Sequence, residues 1–118
     1  MPNPPTQAAL LRVYTEEARR DGSRPLYESV VLKARAAGLA GATVLRGPMG
    51  YGQSARIHNA NILDLSANLP LVIEIVDAED KLRAFVAGLE DMQDIGLVTL
   101  EKVEVLHYGR AAAAAKAR

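Results

Sequence analysis

The stretch PLVIEIVD, residues Pro70–Asp77, decides the fold, because it has the clearest strand pattern in the sequence. One series of alternate positions is wholly apolar: Leu71, Ile73 and Ile75. The positions between them are Val72, Glu74 and Val76. Because strand side chains point alternately to two faces, the first series is expected to face a core and the second the opposite side.

The sequence after this strand predicts a helix and then a last strand. Asp77 is expected to cap a helix over Ala78–Met92. That segment places apolar residues at i, i+3, i+4 and i+7, namely Leu82, Phe85, Val86 and Leu89. Gly96 marks a break, and Leu97–Tyr108 is predicted as the final strand, with Val103 and Val105 alternating against Glu104 and Leu106.

The sequence before the stretch predicts a strand, a helix and a second strand. Leu10–Glu16 alternates and is read as the first strand. A helix is predicted over Pro25–Ala37, with Ser23 as a candidate N-cap and Gly38 as its left-handed stop. Gly41–Gly47 is read as the second strand, with Thr43 and Leu45 on one face.

The predicted order is β-α-β-β-α-β, which gives an α+β, ferredoxin-like fold with two helices on one face of a four-stranded antiparallel sheet. The uncovered face carries five apolar side chains: Leu10, Tyr14, Val72, Val76 and Leu106. A monomer would leave that face in water, so sheet faces are expected to pack between subunits. Residues 1–8 are expected to form a flexible arm, 9–108 the domain and 109–118 a tail.

Composition excludes several classes of protein. The 118 residues suit one domain, and 14 basic residues balance 14 acidic ones, so a net basic field for nucleic acid is absent. No apolar run is long enough for a membrane span, and the first residues lack the pattern of a secretory signal. The chain has no cysteine, which suits a reducing cytoplasm. We therefore expect a cytoplasmic protein that does not insert into membranes.

Catalytic motifs are absent from the sequence, and we expect no enzyme activity. There is no HExxH, GxSxG or P-loop. His58 and His107 are read as hydrogen-bonded or solvent-facing side chains rather than metal ligands. Glu16 and Glu17 are read as a solvated strand end rather than an acid–base pair.

The segment Gly41–His58, GATVLRGPMGYGQSARIH, is the one that suggests a binding site. Its glycines permit close approach of backbone N–H groups to an anion, and its arginines can hold phosphate oxygens. Glycines alone leave a flexible hairpin equally open. No helix follows, so this is not a Rossmann fingerprint.

The chain resembles the PII-like signalling proteins, specifically the branch long catalogued as a family of unknown function. Six stretches carry the resemblance and cover nearly all of residues 9–108: VYTEE (Val13–Glu17), PLYESVV (Pro25–Val31), GLAGATVLRGPMGYG (Gly38–Gly52), RIH (Arg56–His58), LPLVIEIVD (Leu69–Asp77) and GLVTLEKVEV (Gly96–Val105). The resemblance implies a homotrimer that binds adenine nucleotides in clefts between subunits. It also implies a long loop, about residues 48–69, whose shape depends on the ligand and which docks on a partner such as a transporter, channel or enzyme.

The resemblance also implies the site residues. Gly41, Ala42 and Thr43 match the strand on the adenine side of the cleft. Gly50, Gly52 and Gln53 match the base of the loop near the phosphates, and Tyr51 stands where PII has an aromatic residue. Glu74 and Val76 match the cleft's other wall. Arg46 and Arg56 bracket the loop base with positive charge.

Two departures from PII narrow what the resemblance implies. The PII phosphate loop, TGxxGDGK, is replaced by MQDIGLVTLEK (Met92–Lys102), so PII-type triphosphate binding is not implied. ANILDLSAN (Ala60–Asn68) has no tyrosine to be uridylylated. No firm cofactor is expected, and AMP, ADP, ATP or a cyclic nucleotide is the expected effector. The alternatives are a metal-linked trimer similar to the CutA family and a ligand-independent protein scaffold.

Overall fold

The computed structural model describes residues 3–52, 57–59, 68–92 and 95–109. Four longer strands and two helices form the body of this described part of the chain: β1 (Gln7–Glu16), α1 (Leu26–Ala36), β4 (Thr43–Arg46), β7 (Pro70–Asp77), α2 (Glu79–Ala87) and β8 (Val98–Glu104). Four two-residue strands form two small ladders: β2 (Arg20–Asp21) with β3 (Arg24–Pro25), and β5 (Met49–Gly50) with β6 (His58–Asn59).

The four longer strands form one sheet in the order β4-β7-β1-β8, with every neighbouring pair antiparallel. The two central strands place Val13 opposite Ile73, and the outer pairing places Leu11 opposite Leu100. This order, with a helix after the first and third sheet strands, confirms the predicted α+β sheet with two helices.

The core lies between one face of the sheet and the two helices. Leu71, Ile73 and Ile75 are buried, while the intervening residues of β7 are half-buried, so the predicted alternation is confirmed. The helices contribute buried apolar residues to the same cluster, among them Val30 and Leu82. Each such side chain contributes about 1.5–3 kcal/mol when it leaves water, which makes this face the main source of stability.

Helix α1 ends in the predicted left-handed glycine. Gly38 has φ +75°, its N–H donates to the carbonyl of Arg35 at 3.1 Å, and the Leu39 N–H donates to the carbonyl of Ala34 at 3.2 Å. These two bonds define a Schellman motif, and the burial of Leu39 against the core completes it. The chain is thereby turned back toward β4.

The predicted N-cap of α1 was wrong. The cap position is Pro25, and it makes no side-chain capping bond. Ser23 instead lies in the turn between β2 and β3, where Gly22 has φ +64° and the Ser23 carbonyl accepts a bond from the Arg20 guanidinium. Because Gly22 forms a tight turn here, Ser23 belongs to that turn and does not cap the helix. Proline has no N–H group, so the helix start has one backbone donor fewer that needs a partner.

Asp77 acts next to α2, but as a buried connector rather than as the cap residue. The cap position is Ala78, and the Asp77 Oδ1 accepts its N–H at 2.7 Å. The other oxygen, Oδ2, accepts the N–H of Ala40 at 2.9 Å. The side chain is 1% exposed, so one buried carboxylate joins the end of β7, the start of α2 and the approach to β4.

The face of the sheet away from the helices is open in the single chain. Register places Tyr14 opposite Val72, and Val72 opposite Leu45, across this face. Tyr14 and Leu45 are 37% and 48% exposed. The predicted contribution of Leu106 is wrong, because β8 ends at Glu104 and its pairing puts Val103 on the same face as Leu10.

Candidate functional site at one end of the sheet

A cavity of about 750 Å³ lies at the end of the sheet where β1 and β4 finish and β7 and β8 begin. Antiparallel pairing brings these four strand ends together, since Glu16 lies opposite Pro70 and Arg46 opposite Leu71. The wall is completed by the chain that leaves β4, Gly47 and Met49–Gly52, and by the approach to β8, Ile95–Leu97.

The chain leaving β4 passes close over Pro70. The Gly47 N–H donates to the Pro70 carbonyl at 2.8 Å. A Cβ atom at either Gly47 or Gly50 would lie 3.2 Å from Cγ of the Pro70 ring. Such a contact is tighter than ordinary packing, so glycine at both positions lets this segment lie against the start of β7.

Gly96 has the closest approach of any glycine in the described part of the chain. A Cβ there would collide with the carbonyl oxygen of Tyr14. The Tyr14 N–H donates to the Leu97 carbonyl at 2.8 Å, so the two chains run in contact beside the cavity. Gly96 therefore permits the approach to β8 to form part of the wall.

The polar groups of the wall come mainly from the end of β1. Arg19 and Glu16 form an ion pair with 3.4 Å between Nε and Oε1, and both line the cavity. Among the described residues, the Thr15 hydroxyl is a buried oxygen without a hydrogen-bond partner. Tyr14 and Tyr51 add two aromatic rings, and Tyr51 is 73% exposed. The wall thus combines aromatic surface with a guanidinium and a hydroxyl.

Of the site residues predicted from the sequence, Gly50, Tyr51 and Gly52 line this cavity. Arg46 lies at its margin, with its guanidinium 3.3 Å from a carboxylate oxygen of Glu17. Gln53 and Arg56 lie outside the described residues.

The other predicted site residues lie farther along the sheet. Thr43 pairs with Glu74, three positions from Arg46, and Gly41, Ala42 and Val76 lie beyond that pair. At about 3.3 Å per residue, Thr43 is roughly 10 Å along β4 from Arg46, and Gly41 and Ala42 precede that strand. Within one chain, the two groups therefore do not meet around a common cavity.

Glu74 has a partner on the open face. Arg12 lies between two carboxylates, with 3.0 Å from its Nε to Glu74 and 2.6 Å from its Nη1 to Glu101. These hydrogen bonds, first to Glu74 and then to Glu101, raise the pKa of Arg12. The cluster carries one positive and two negative charges in the middle of a largely apolar face.

Ala40, which precedes β4, makes two hydrogen bonds through its backbone. Its N–H donates to Asp77, as described above, and its carbonyl accepts the Tyr108 hydroxyl at 2.6 Å. These bonds fix the chain directly before Gly41 and Ala42. Gly41 has open space where a Cβ would stand.

Sequence reasoning missed Tyr14, Thr15, Arg19 and Ile95–Leu97 as parts of the cavity wall. Tyr14 was predicted on the open face, where the register does place it. The predicted antiparallel order could have indicated these residues, because the end of β1 and the start of β8 then lie at the same edge of the sheet.

Gly52 is not in the left-handed conformation that would require glycine. Among the described glycines, only Gly22 and Gly38 have positive φ. Gly52 has open space where a Cβ would stand. A substitution there would therefore act by extending a side chain into the cavity and not by straining the backbone.

In the portion of the chain that the structure describes, no three histidine, aspartate or glutamate side chains lie together in a metal-binding arrangement. His58 pairs through its backbone with Gly50, and His107 is exposed. No helix within that portion has the length and apolar character needed to cross a membrane.

Comparisons with known proteins agree with this fold. Residues 8–105 match the model of a family described as DUF190, Uncharacterized ACR. A UPF0166 protein of Aquifex aeolicus is 38% identical over 98 residues, covering 83% of this chain and 92% of the relative. A UPF0166 protein of Methanocaldococcus jannaschii is 30% identical over 100 residues, covering 84% and 92%.

A solved structure shares the architecture. It is CPII from Thiomonas intermedia K12, bound to ADP and bicarbonate. The TM-score is 0.64 at 17% sequence identity, over 84% of this chain and 88% of that one. The resemblance to PII-like proteins drawn from the sequence is thereby confirmed at the level of the fold.

Proposed function

The chain belongs to the DUF190 (UPF0166) family, and on that premise we propose that it is a PII-like regulatory protein that binds an adenine nucleotide. The observation that carries the proposal is the cavity at the sheet end, which has the loop base Gly50–Gly52 in its wall. In this proposal the protein catalyses no reaction, and its output is the state of the loop, about residues 48–69.

The cavity suits a nucleotide in size and chemistry. Its volume of about 750 Å³ lies within the range of roughly 300–1,000 Å³ that small-molecule sites occupy. Tyr14 and Tyr51 offer ring faces on which a base can stack. Arg19 offers a guanidinium for phosphate oxygens, and the unsatisfied Thr15 hydroxyl offers one more hydrogen bond. ADP bound to CPII, a protein of similar fold, supports the same ligand class.

The proposed assembly is a homotrimer in which the open sheet faces meet. That face exposes Tyr14 and Leu45, which water would otherwise surround. A neighbouring subunit would bring its own strands toward the cavity, and the residues Gly41–Thr43, Glu74 and Val76 then complete a cleft between subunits rather than within one chain. This arrangement explains how two separated groups of predicted site residues serve one ligand.

Regulation follows from differential binding. A ligand that binds one state of the loop more tightly shifts the population toward that state. A protein partner, such as a transporter, channel or enzyme, reads the state that results. In this proposal the regulation takes place in the cytoplasm and involves neither nucleic acid nor insertion into a membrane.

The experiment is calorimetric titration of AMP, ADP, ATP, a cyclic nucleotide and divalent cations into the purified protein. We expect an adenine nucleotide to bind. Arg19→Gln should weaken the binding by about ten-fold or more, since an arginine–phosphate contact contributes roughly 1.5–3 kcal/mol.

The matched control is Arg83→Gln, which removes the same charge from a more exposed ion pair, to Glu79 at 2.9 Å, on helix α2 and outside the cavity wall. That variant should bind as the parent does. Binding of cations in place of nucleotides would favour the metal-linked trimer. Partner capture that no small ligand alters would favour a scaffold.

A further inference from the structure

We propose that Glu17 is a positioning residue that fixes the end of β1 to the two adjoining chain segments of the cavity wall, the one that leaves β4 and the one that enters β7. Glu17 follows directly after β1 and does not itself line the cavity. It contacts the residue that ends β4 and the residue that precedes β7, which are the two points where the intervening segment leaves and rejoins the sheet. Only the effect on nucleotide affinity rests on the proposed function.

The contacts on the returning side are the more extensive. The Glu17 N–H donates to the Leu69 carbonyl at 3.0 Å, and the Leu69 N–H donates to Oε1 of Glu17 at 3.2 Å. The neighbouring Ala18 N–H donates to Oδ1 of Asn68 at 2.8 Å. Leu69 is 8% exposed and directly precedes Pro70 in the cavity wall. Three hydrogen bonds thus fix this side of the wall to the end of β1.

The contact on the leaving side uses the second oxygen of the same carboxylate. Oε2 of Glu17 lies 3.3 Å from Nη2 of Arg46. Arg46 directly precedes Gly47, which lines the cavity and bonds to the Pro70 carbonyl. One side chain therefore contacts both ends of the intervening segment, one through each oxygen.

The two contacts differ in strength. Arg46 is largely exposed, and an exposed ion pair contributes little and is weakened by salt. The Leu69 N–H belongs to a buried residue and bonds to a charged acceptor, which is the stronger kind of hydrogen bond. Loss of the carboxylate should therefore destabilise the position of Leu69 more than that of Arg46.

Amide hydrogen exchange measured by NMR on the free protein tests this directly. Glu17→Ala removes both contacts, and the Leu69 amide should exchange at least about ten-fold faster, as expected for loss of one hydrogen bond. Glu17→Gln keeps an acceptor oxygen and should restore most of the Leu69 protection. The core amides of Leu11 and Ile73 should keep the parent rates in both variants. Glu79→Gln, which breaks the exposed pair with Arg83, should leave Leu69 unchanged.

The second measurement is ADP affinity of the same variants. We expect Glu17→Ala to bind ADP several-fold more weakly and Glu17→Gln to recover most of the affinity. Unchanged exchange at Leu69 in Glu17→Ala overturns the proposal, as does an equal acceleration at Leu11 and Ile73. Unchanged ADP affinity in Glu17→Ala also overturns it when the parent binds ADP. If the parent protein does not bind ADP, the proposed function is wrong. The exchange measurement by itself then decides whether Glu17 has the positioning role.

Discussion

Gly96 shows how much one missing side chain contributes to this site. Its Cα lies so close to the backbone of Tyr14 that any side chain would collide with the Tyr14 carbonyl oxygen. Because that neighbour is backbone, it cannot move aside by changing a rotamer. The residue therefore sets the path of the chain as it enters β8, where Ile95–Leu97 form one wall of the cavity.

We expect Gly96→Ala to lower the free energy of unfolding by about 2 kcal/mol or more, since backbone must shift to admit the methyl group. Gly41→Ala is the matched control, because no atom lies within 4 Å of its Cβ position. Urea denaturation of the three proteins measures the difference. Equal midpoints for Gly96→Ala and the parent would contradict the close contact.

Thr15→Val tests whether the unsatisfied hydroxyl is kept for a ligand. The substitution replaces a buried oxygen without a hydrogen-bond partner by a methyl group of similar size. We expect the free protein to gain about 1 kcal/mol, or roughly 4 °C in Tm, because the desolvation cost of the hydroxyl disappears.

The same variant should bind ADP more weakly, while Thr15→Ser should bind as the parent does. Thermal denaturation with and without ADP measures both effects. A variant that is more stable and binds ADP with unchanged affinity would show that the hydroxyl has no part in binding.

At the scale of elements, Asp77 connects three segments through one buried carboxylate. Asp77→Ala leaves the N–H groups of Ala40 and Ala78 without their partner. We expect a loss of about 2–4 kcal/mol in the free energy of unfolding, as two buried hydrogen bonds to a charged group are removed. Asp91→Ala, at an exposed position after α2, should change it by less than about 0.5 kcal/mol. A small effect at Asp77 in chemical denaturation would contradict its role as connector.

The elements were predictable because their patterns are local. The bounds of β7 were predicted as Pro70–Asp77 and are observed there, since alternation and burial agree at every position. Gly38 was identified as a stop because a positive φ favours glycine. Ser23 was misassigned because turn and cap positions favour the same residue types, and only the β2–β3 pairing distinguishes them.

The cavity was only partly predictable because it is made by contacts between distant parts of the chain. The glycines of the loop base were implied by the resemblance to PII-like proteins. Arg19 and Gly96 were missed because nothing in their local sequence marks them, and only the antiparallel strand order brings them to one edge of the sheet. The side chain of Glu17 was read as solvated, whereas its two oxygens contact Leu69 and Arg46.

At the scale of the whole molecule, the open sheet face accounts for the proposed trimer. We expect light scattering to give three times the chain mass of 12.6 kDa. Val72→Glu places an unpaired carboxylate on that face, opposite Tyr14 and Leu45, and should dissociate the assembly, because this charge would be buried at the interface. Leu106→Glu, at a position 87% exposed and beyond β8, is the control and should stay trimeric. A stable monomer of the parent protein would contradict this prediction.

Titration of ADP into the ¹⁵N-labelled protein shows whether an adenine nucleotide binds in the cavity at the sheet end. We expect amide resonances of the wall, above all those of Gly47, Gly50 and Gly96, to shift in a saturable way, while that of Val30 in the core stays in place. Saturable shifts confined to residues away from this wall, or no shifts at millimolar ADP, would contradict it.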